Sequence, residues 1–298
     1  MIRDFIYLRA NTAIEALDLL DQHKDNSKII CGGQSLLILM RQGLVAPEYL
    51  IDIKRIEELN YINFDPKEGL KIGAITSHRK IEKSSVIKEH FPVLVEMEEN
   101  LASIQTRNWG TIGGNLSHGD PAGDPAIVLT ALDATVKMAN KERERSMPIE
   151  NFTIDFFETA LKEDELLLEI QVPVTPPRNA TVYEKFNIIK NDMGIVSVAT
   201  SVTLDDDCVK CKDVRIVLGG AASTPLRAKE AEQMVIGQKL DDGLLDKVGE
   251  KVSEEADPVD DIHATEAYRR GLVKTITKKM VKKAWEQAKA STGEGGQR

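Results

Sequence analysis

Two glycine pairs, about eighty residues apart, constrain this chain more than any other feature. The first sits in Ile29-Ile30-Cys31-Gly32-Gly33-Gln34-Ser35-Leu36, where a short apolar run meets paired glycines and a small polar residue then opens a Leu- and Met-rich segment. The pattern predicts strand, bend and helix. Main-chain N–H groups are left without partners at such a helix start, where the helix dipole also favours an anion. Paired glycines remove the Cβ atoms that would hold a phosphate away. The second pair lies in Thr106-Arg107-Asn108-Trp109-Gly110-Thr111-Ile112-Gly113-Gly114-Asn115, again beside a hydroxyl and an amide side chain. Together the bends predict two clamps on one diphosphate. An acidic chain must meet a diphosphate with backbone N–H donors or a few placed cations, and residues 31–37 carry no Lys or Arg, so backbone donors fit. A plain tight connection is the alternative reading of each bend.

The remaining chemistry is bounded by exclusion. With 298 residues the chain suggests two domains, ahead of one or three, and is long enough for a sizeable core. A formal net charge of −9 argues against nucleic acid or an anionic membrane surface as partner. The three cysteines, Cys31, Cys208 and Cys211, cannot form a disulfide framework or hold a four-thiolate iron–sulfur cluster. Cys208 and Cys211 form a lone CxxC at a turn-to-strand junction, where residues three apart point to opposite faces, so no metal site is expected. Neither GxGxxG nor GxxxxGK[ST] occurs, and Leu37 stands where Gly33-Gln34-Ser35 needs a glycine to complete GxSxG. The five histidines lack metal-ligand spacing, and His118 reads as a solvated loop residue. Asp4 interrupts the N-terminus before a signal-peptide pattern develops, and no run approaches the ~18–20 apolar residues of a membrane span. A cytoplasmic protein is expected.

Periodicity suggests a helix over 13–23 capped by Thr12, strands over 28–31 and 49–53, and a short helix over 35–42. Further on it suggests a strand over 70–75, helices over 77–88 and 91–102, a turn-rich stretch over 106–124, a helix over 126–131, and strands over 134–140 and 165–172. Val174-Thr175-Pro176-Pro177-Arg178-Asn179 reads as a linker. Beyond it, strands are expected over 196–204 and 209–218, and helices over 226–235, 244–256 and 263–290, before a frayed tail over 291–298.

Cys31-Gly32-Gly33-Gln34-Ser35-Leu36, continuing to Pro47-Glu48-Tyr49-Leu50-Ile51-Asp52-Ile53, resembles the first FAD-binding segment of the medium subunit of molybdenum hydroxylases, the xanthine dehydrogenase and aerobic carbon monoxide dehydrogenase relatives. Thr106 to Asn115 and Asp120-Pro121-Ala122-Gly123-Asp124 resemble the second segment. Tyr183-Glu184-Lys185-Phe186 and Leu218-Gly219-Gly220-Ala221-Ala222-Ser223-Thr224-Pro225-Leu226-Arg227 resemble motifs of that family's C-terminal domain. The likeness runs in order over roughly residues 3–290.

The resemblance implies an α+β fold: a two-subdomain, PCMH-type FAD-binding domain (1–55, small α/β; 56–175, antiparallel sheet with helices) followed by an antiparallel sheet-plus-helices domain (180–290). FAD would lie between the first two parts, with its ring reaching the third. Ile29 to Leu36 would wrap the diphosphate through main-chain N–H groups, and Thr111, Ile112, Gly113, Gly114 and Asn115 would do so from the other side. Asp124 would accept hydrogen bonds from FAD, Leu101 and Leu167 would line it, and Lys185 would bring a cation to the flavin. Plainer readings stand beside these: Asp124 as a helix cap, Leu101 and Leu167 as core, Lys185 as a surface strand residue. Two positions depart from the family pattern, with Cys31 where alanine is usual and Met193 where many relatives carry an aromatic near the flavin. The activity implied is electron transfer, as an FAD-dependent oxidoreductase subunit with no catalytic side chain of its own. An iron–sulfur small subunit and a molybdenum-cofactor large subunit would be its partners, and NAD, a quinone or another carrier its acceptor. A free-standing FAD oxidoreductase and a flavin-free scaffold are the alternatives.

Overall fold

The computed structural model describes residues 2–291, so all of the expected tail but Ser291 lies outside the described residues. The chain divides into two compact units, one formed by Met1–Gly119 and Ala134–Pro173, the other by Asp120–Asp133 and Val174–Arg298.

The first unit opens with a three-stranded parallel sheet in the order β1-β3-β2, built from β1 (Ile6–Arg9), β2 (Ser27–Ile30) and β3 (Tyr49–Asp52). Parallel neighbours need crossovers, supplied here by α1 (Ala13–His23) and α2 (Leu36–Gln42). As expected, the Thr12 hydroxyl caps α1 by accepting the Glu15 N–H. Ala16 and Leu20 of α1 share a buried cluster with Ile51 and Ile53.

A five-stranded antiparallel sheet follows, ordered β4-β5-β10-β6-β7: β4 (Ile62–Asp65), β5 (Gly69–Gly73), β6 (Thr135–Ala139), β7 (Glu144–Pro148) and the central β10 (Leu166–Val172). A small hairpin pairs β8 (Thr153–Asp155) with β9 (Glu158–Thr159). Between β5 and β6 the unit holds five short helices: α3 (His78–Glu82), α4 (Ser85–His90), α5 (Pro92–Glu99), α6 (Ile104–Trp109) and α7 (Ile112–His118). Ser77, Ser84, Ser103 and Thr111 start four of them, each side chain accepting the N–H three residues on. These caps correct two expectations. The single helix over 77–88 is two helices, because Ser84 restarts the chain. The turn-rich stretch after Thr106 is helical, because Thr111 caps α7 and places Gly113 and Gly114 in its first turn; His118 is the last residue of that helix rather than a loop residue.

The second unit contains α8 (Asp124–Ala131) and a four-stranded antiparallel sheet, β11 (Asn179–Phe186), β12 (Val196–Leu204), β13 (Cys211–Gly219) and β14 (Leu226–Arg227), with α9 (Lys229–Val235), α10 (Asp242–Glu255) and α11 (Glu266–Ala290). Strand β12 is buried at every position because both faces are covered. Val196, Val198 and Val202 share a cluster with Val273, Met280 and Ala284 of α11. Ile127 of α8 fills the space where a Cβ on Gly219 would stand. Two helix starts move inward from the sequence expectation. Leu226 and Arg227 pair with Leu218 and Val217 as a strand before α9 begins. The N–H groups of His263 and Ala264 bind the Asp261 carboxylate, so α11 starts after its Thr265 cap. Among the described residues, no helix is long and apolar enough to cross a membrane.

Ile127 is fully buried, so Ile127→Ala should destabilise the second unit by about 3 kcal/mol. Urea unfolding followed through the buried Trp285 reads this directly; an unchanged midpoint would remove α8 from that unit's core.

Candidate functional site

The two glycine bends meet inside the first unit. At Gly32 an ideal Cβ would overlap the carbonyl oxygen of Trp109 and lie 2.8 Å from the Gly110 Cα. Only glycine allows that approach, since backbone cannot swing aside as a side-chain tip can. Its neighbour Gly33 is glycine for another reason, a left-handed φ of +70° that turns the chain from β2 into α2. The Gln34 amide ties back to the Gly32 carbonyl at 3.1 Å. Cys31 hydrogen-bonds the Thr111 side chain, a second link between the segments. Burial pushes the Cys31 thiol up to about 11 despite that bond, and Asp52 adds to the rise. The thiol is therefore a packing group.

The bends differ in what they offer a ligand. Among the described residues, no protein acceptor takes the N–H of Gly33, Gln34 or Ser35, and all three residues are half-buried. Clustered, unpartnered N–H groups in a half-buried bend are what a phosphate needs. In the second segment the protein itself engages the main chain. The N–H of Ile112 goes to Thr76 O at 3.0 Å, that of Gly113 to Ala74 O at 2.9 Å and that of Asn115 to Thr111 O at 2.9 Å. The Gly114 N–H goes to the Thr111 hydroxyl at 3.2 Å. The helical turn and its seat on Ala74 thus engage four of the main-chain groups expected to donate here. Gly113 is glycine because a Cβ would stand 2.6 Å from Ala74 O, while Gly114 is exposed and meets only the Thr111 hydroxyl. What the segment presents outward is the open surface of Gly114 and the Asn115 amide.

Leu101 and Leu167 are both buried, at 6% and 3% exposure, as core residues are. Leu101 lies between α5 and α6; Leu167 pairs with Met138 where the β10 register slips. The residues at 124 and 185 belong to the second unit, where they pair with each other. The Lys185 ammonium lies 2.7 Å from the Asp124 carboxylate, and the two side chains are 4% and 8% exposed. The Tyr183 hydroxyl donates to the other Asp124 oxygen. Burial pushes the Asp124 carboxyl up, against the pull of Lys185 and Tyr183. Burial, then the Asp124 charge, pushes the Tyr183 phenol well above its ordinary value. Neither plain reading of the pair survives: Asp124 lies inside α8 behind a Gly123 cap, and Lys185 is not a surface residue. Tyr183 is the member that sequence reasoning missed. Its signal was the two-residue spacing from Lys185, which puts both on one face of β11.

Such a fold, with a half-buried bend of unpartnered N–H groups, is suited to an anionic ligand. Comparison with known proteins gives the chain a family. Residues 3–175 match the FAD-binding domain in molybdopterin dehydrogenase, and residues 181–284 match the CO dehydrogenase flavoprotein C-terminal domain. The chain is 36% identical to the glyceraldehyde dehydrogenase medium chain of Sulfolobus acidocaldarius, over 94% of this chain and 98% of that one. It is 29% identical to the carbon monoxide dehydrogenase medium chain of Hydrogenophaga pseudoflava, over 94% and 97% respectively. A solved carbon monoxide dehydrogenase from that organism, lacking the Mo-pyranopterin moiety of its cofactor, superposes with a TM-score of 0.92 at 29% identity, covering 96% of this chain and 99% of the other. The chain belongs to the FAD-binding medium subunits of the molybdenum hydroxylase family. It is an FAD-dependent oxidoreductase subunit of the xanthine dehydrogenase and carbon monoxide dehydrogenase type.

At pH 8, Cys31 should react with iodoacetamide about 100-fold more slowly than an ordinary thiol, because a raised pKa depletes the thiolate. Peptide mass spectrometry over time checks this; alkylation at the ordinary rate would show that Cys31 is not held by burial and Thr111.

Proposed function

We propose that this chain is the electron-transfer subunit of a multi-subunit molybdenum hydroxylase. It takes electrons from the iron–sulfur clusters of a small subunit and delivers them to an external acceptor, NAD, a quinone or another carrier. The substrate is hydroxylated in a large subunit that carries the molybdenum cofactor. When bound, FAD supplies one- and two-electron redox chemistry, which suits a post between one-electron clusters and a two-electron acceptor. The observation carrying this reading is the half-buried row of unpartnered N–H groups at Gly33, Gln34 and Ser35, packed against the second glycine segment.

In this reading Ile29, Ile30, Cys31, Gly32, Gly33, Gln34, Ser35 and Leu36 form the diphosphate cradle, with the three free N–H groups as its donors. Thr111, Ile112, Gly113, Gly114 and Asn115 form the facing wall, with the Asn115 amide as its polar group. Leu101 and Leu167 give apolar lining. Asp124 and Lys185 act as one buried ion pair, with Tyr183 fixing the carboxylate, so the pair presents a fixed dipole rather than two separate charges. Three free thiols fit the reducing cytoplasm expected for such a complex.

Purification of the native assembly, with metal and flavin analysis, tests the proposal. The expected result is one FAD per copy of this chain together with iron- and molybdenum-containing subunits. Yellow protein without those chains would establish a free-standing flavoprotein instead, and colourless protein would end the flavin assignment.

Gly114→Val adds bulk to the open wall without touching backbone. It should strip FAD from the chain while leaving Tm within about 4 °C of the wild type. Wild-type flavin content, measured by absorbance after denaturation, would take Gly114 out of the site.

A further inference from the structure

We propose that Arg107 is a positioning residue for the FAD site, acting through Leu101. This rests on the proposed role of Leu101 in lining that site. The guanidinium is buried at 7% exposure on α6. Its Nη1 donates to the carbonyl oxygens of Leu101 at 2.8 Å and of Ala102 at 2.7 Å. Its Nε donates to the Glu82 carboxylate of α3 at 2.9 Å. One planar group thus fixes the connection between α5 and α6 to a third helix.

That connection needs fixing. Ala102 has a φ of +44°, a left-handed conformation that a non-glycine residue rarely adopts, and it directly follows Leu101. Without donors for these two carbonyls, the bend would have both strain and buried acceptors left unpaired. Glu82 is held in turn by Arg79. Helix α3 also braces the second glycine segment, since the His78 N–H donates to Gly110 O at 3.1 Å. The His78 ring lies 3.0 Å from the Glu98 carboxylate of α5. Leu101 and the glycine wall are therefore referenced to the same short helix, and Arg107 is the link on the Leu101 side. Lysine cannot replace it, because an ammonium lacks the planar fork that reaches two carbonyls and a carboxylate at once.

The test is a double-mutant cycle on FAD binding by the whole chain, stripped of flavin and titrated with FAD by fluorescence. Arg107→Lys should weaken binding at least about tenfold, the scale of one charge-assisted hydrogen bond. In a Leu101→Ala background the same substitution should cost less than about threefold, because the residue it positions has gone. Equal losses in both backgrounds, or unchanged affinity in the first, would overturn the proposal. If Arg107→Lys does not fold, Glu82→Gln takes its place in the same cycle: a loss confined to the Leu101 background supports the link, and an equal or absent loss overturns it. A wild-type chain that binds no FAD would remove the functional reading and this inference together, whereas a wild-type chain that binds FAD with additive losses would remove only the inference.

Discussion

The meeting of backbone with backbone at Gly32 ties the two glycine segments of the first unit together. Gly32 packs on the carbonyl of Trp109 and on Gly110 with no room for a single extra carbon. The contact brings a bend after the second strand against a segment that starts nearly eighty residues later. It seats the first bend on backbone, next to N–H groups of Gly33, Gln34 and Ser35 that have no protein acceptor among the described residues. Preorganised donors of this kind bind an anion without a cation nearby, which suits an acidic chain whose first bend carries no Lys or Arg.

Around this junction the two segments divide the work. The first leaves main-chain N–H groups without a protein acceptor among the described residues. The second has the main-chain donors of Ile112, Gly113, Gly114 and Asn115 engaged by the protein and leaves Gly114 exposed. The difference follows from helix geometry. Thr111 caps α7 through the Gly114 N–H, and the close seat of Gly113 on Ala74 consumes another donor. Gly33 instead turns left-handed, which leaves the N–H groups after it with nothing to bind within the chain.

Buried charge recurs in both units, each time with partners. In the first unit Arg107 bridges Glu82 and two carbonyls; in the second Lys185 and Tyr183 bracket Asp124. Removing one partner from such a group is costly, because a desolvated charge is left without compensation. These groups hold geometry, which fits a protein that places a cofactor and leaves the hard chemistry to it.

Much of this was legible in the residues alone. Thr12 before an amphipathic run gave the first helix start, the apolar run before Gly32-Gly33 gave strand and bend, and the two glycine segments in order gave the family. Where a Ser or Thr cap was overlooked, at Ser84 and Thr111, one helix was drawn for two and a turn was drawn for a helix. Strand β11 escaped because its first residue, Asn179, reads as the end of the proline-rich linker, and only pairing with β12 shows that it is extended in a sheet. A glycine pair in sequence is degenerate: the same dipeptide serves a positive φ at Gly33, a backbone contact at Gly32 and helix packing at Gly113. Which use applies depends on atoms brought close from far along the chain. The string of residues therefore set where the bends, caps and motifs fall, because those are local steric and hydrogen-bonding preferences. Folding in three dimensions assigned the N–H groups left over for a ligand, joined Tyr183 and Lys185 to Asp124, and put Arg107 under Leu101, because each of these is a matter of which distant acceptor arrives within hydrogen-bonding reach.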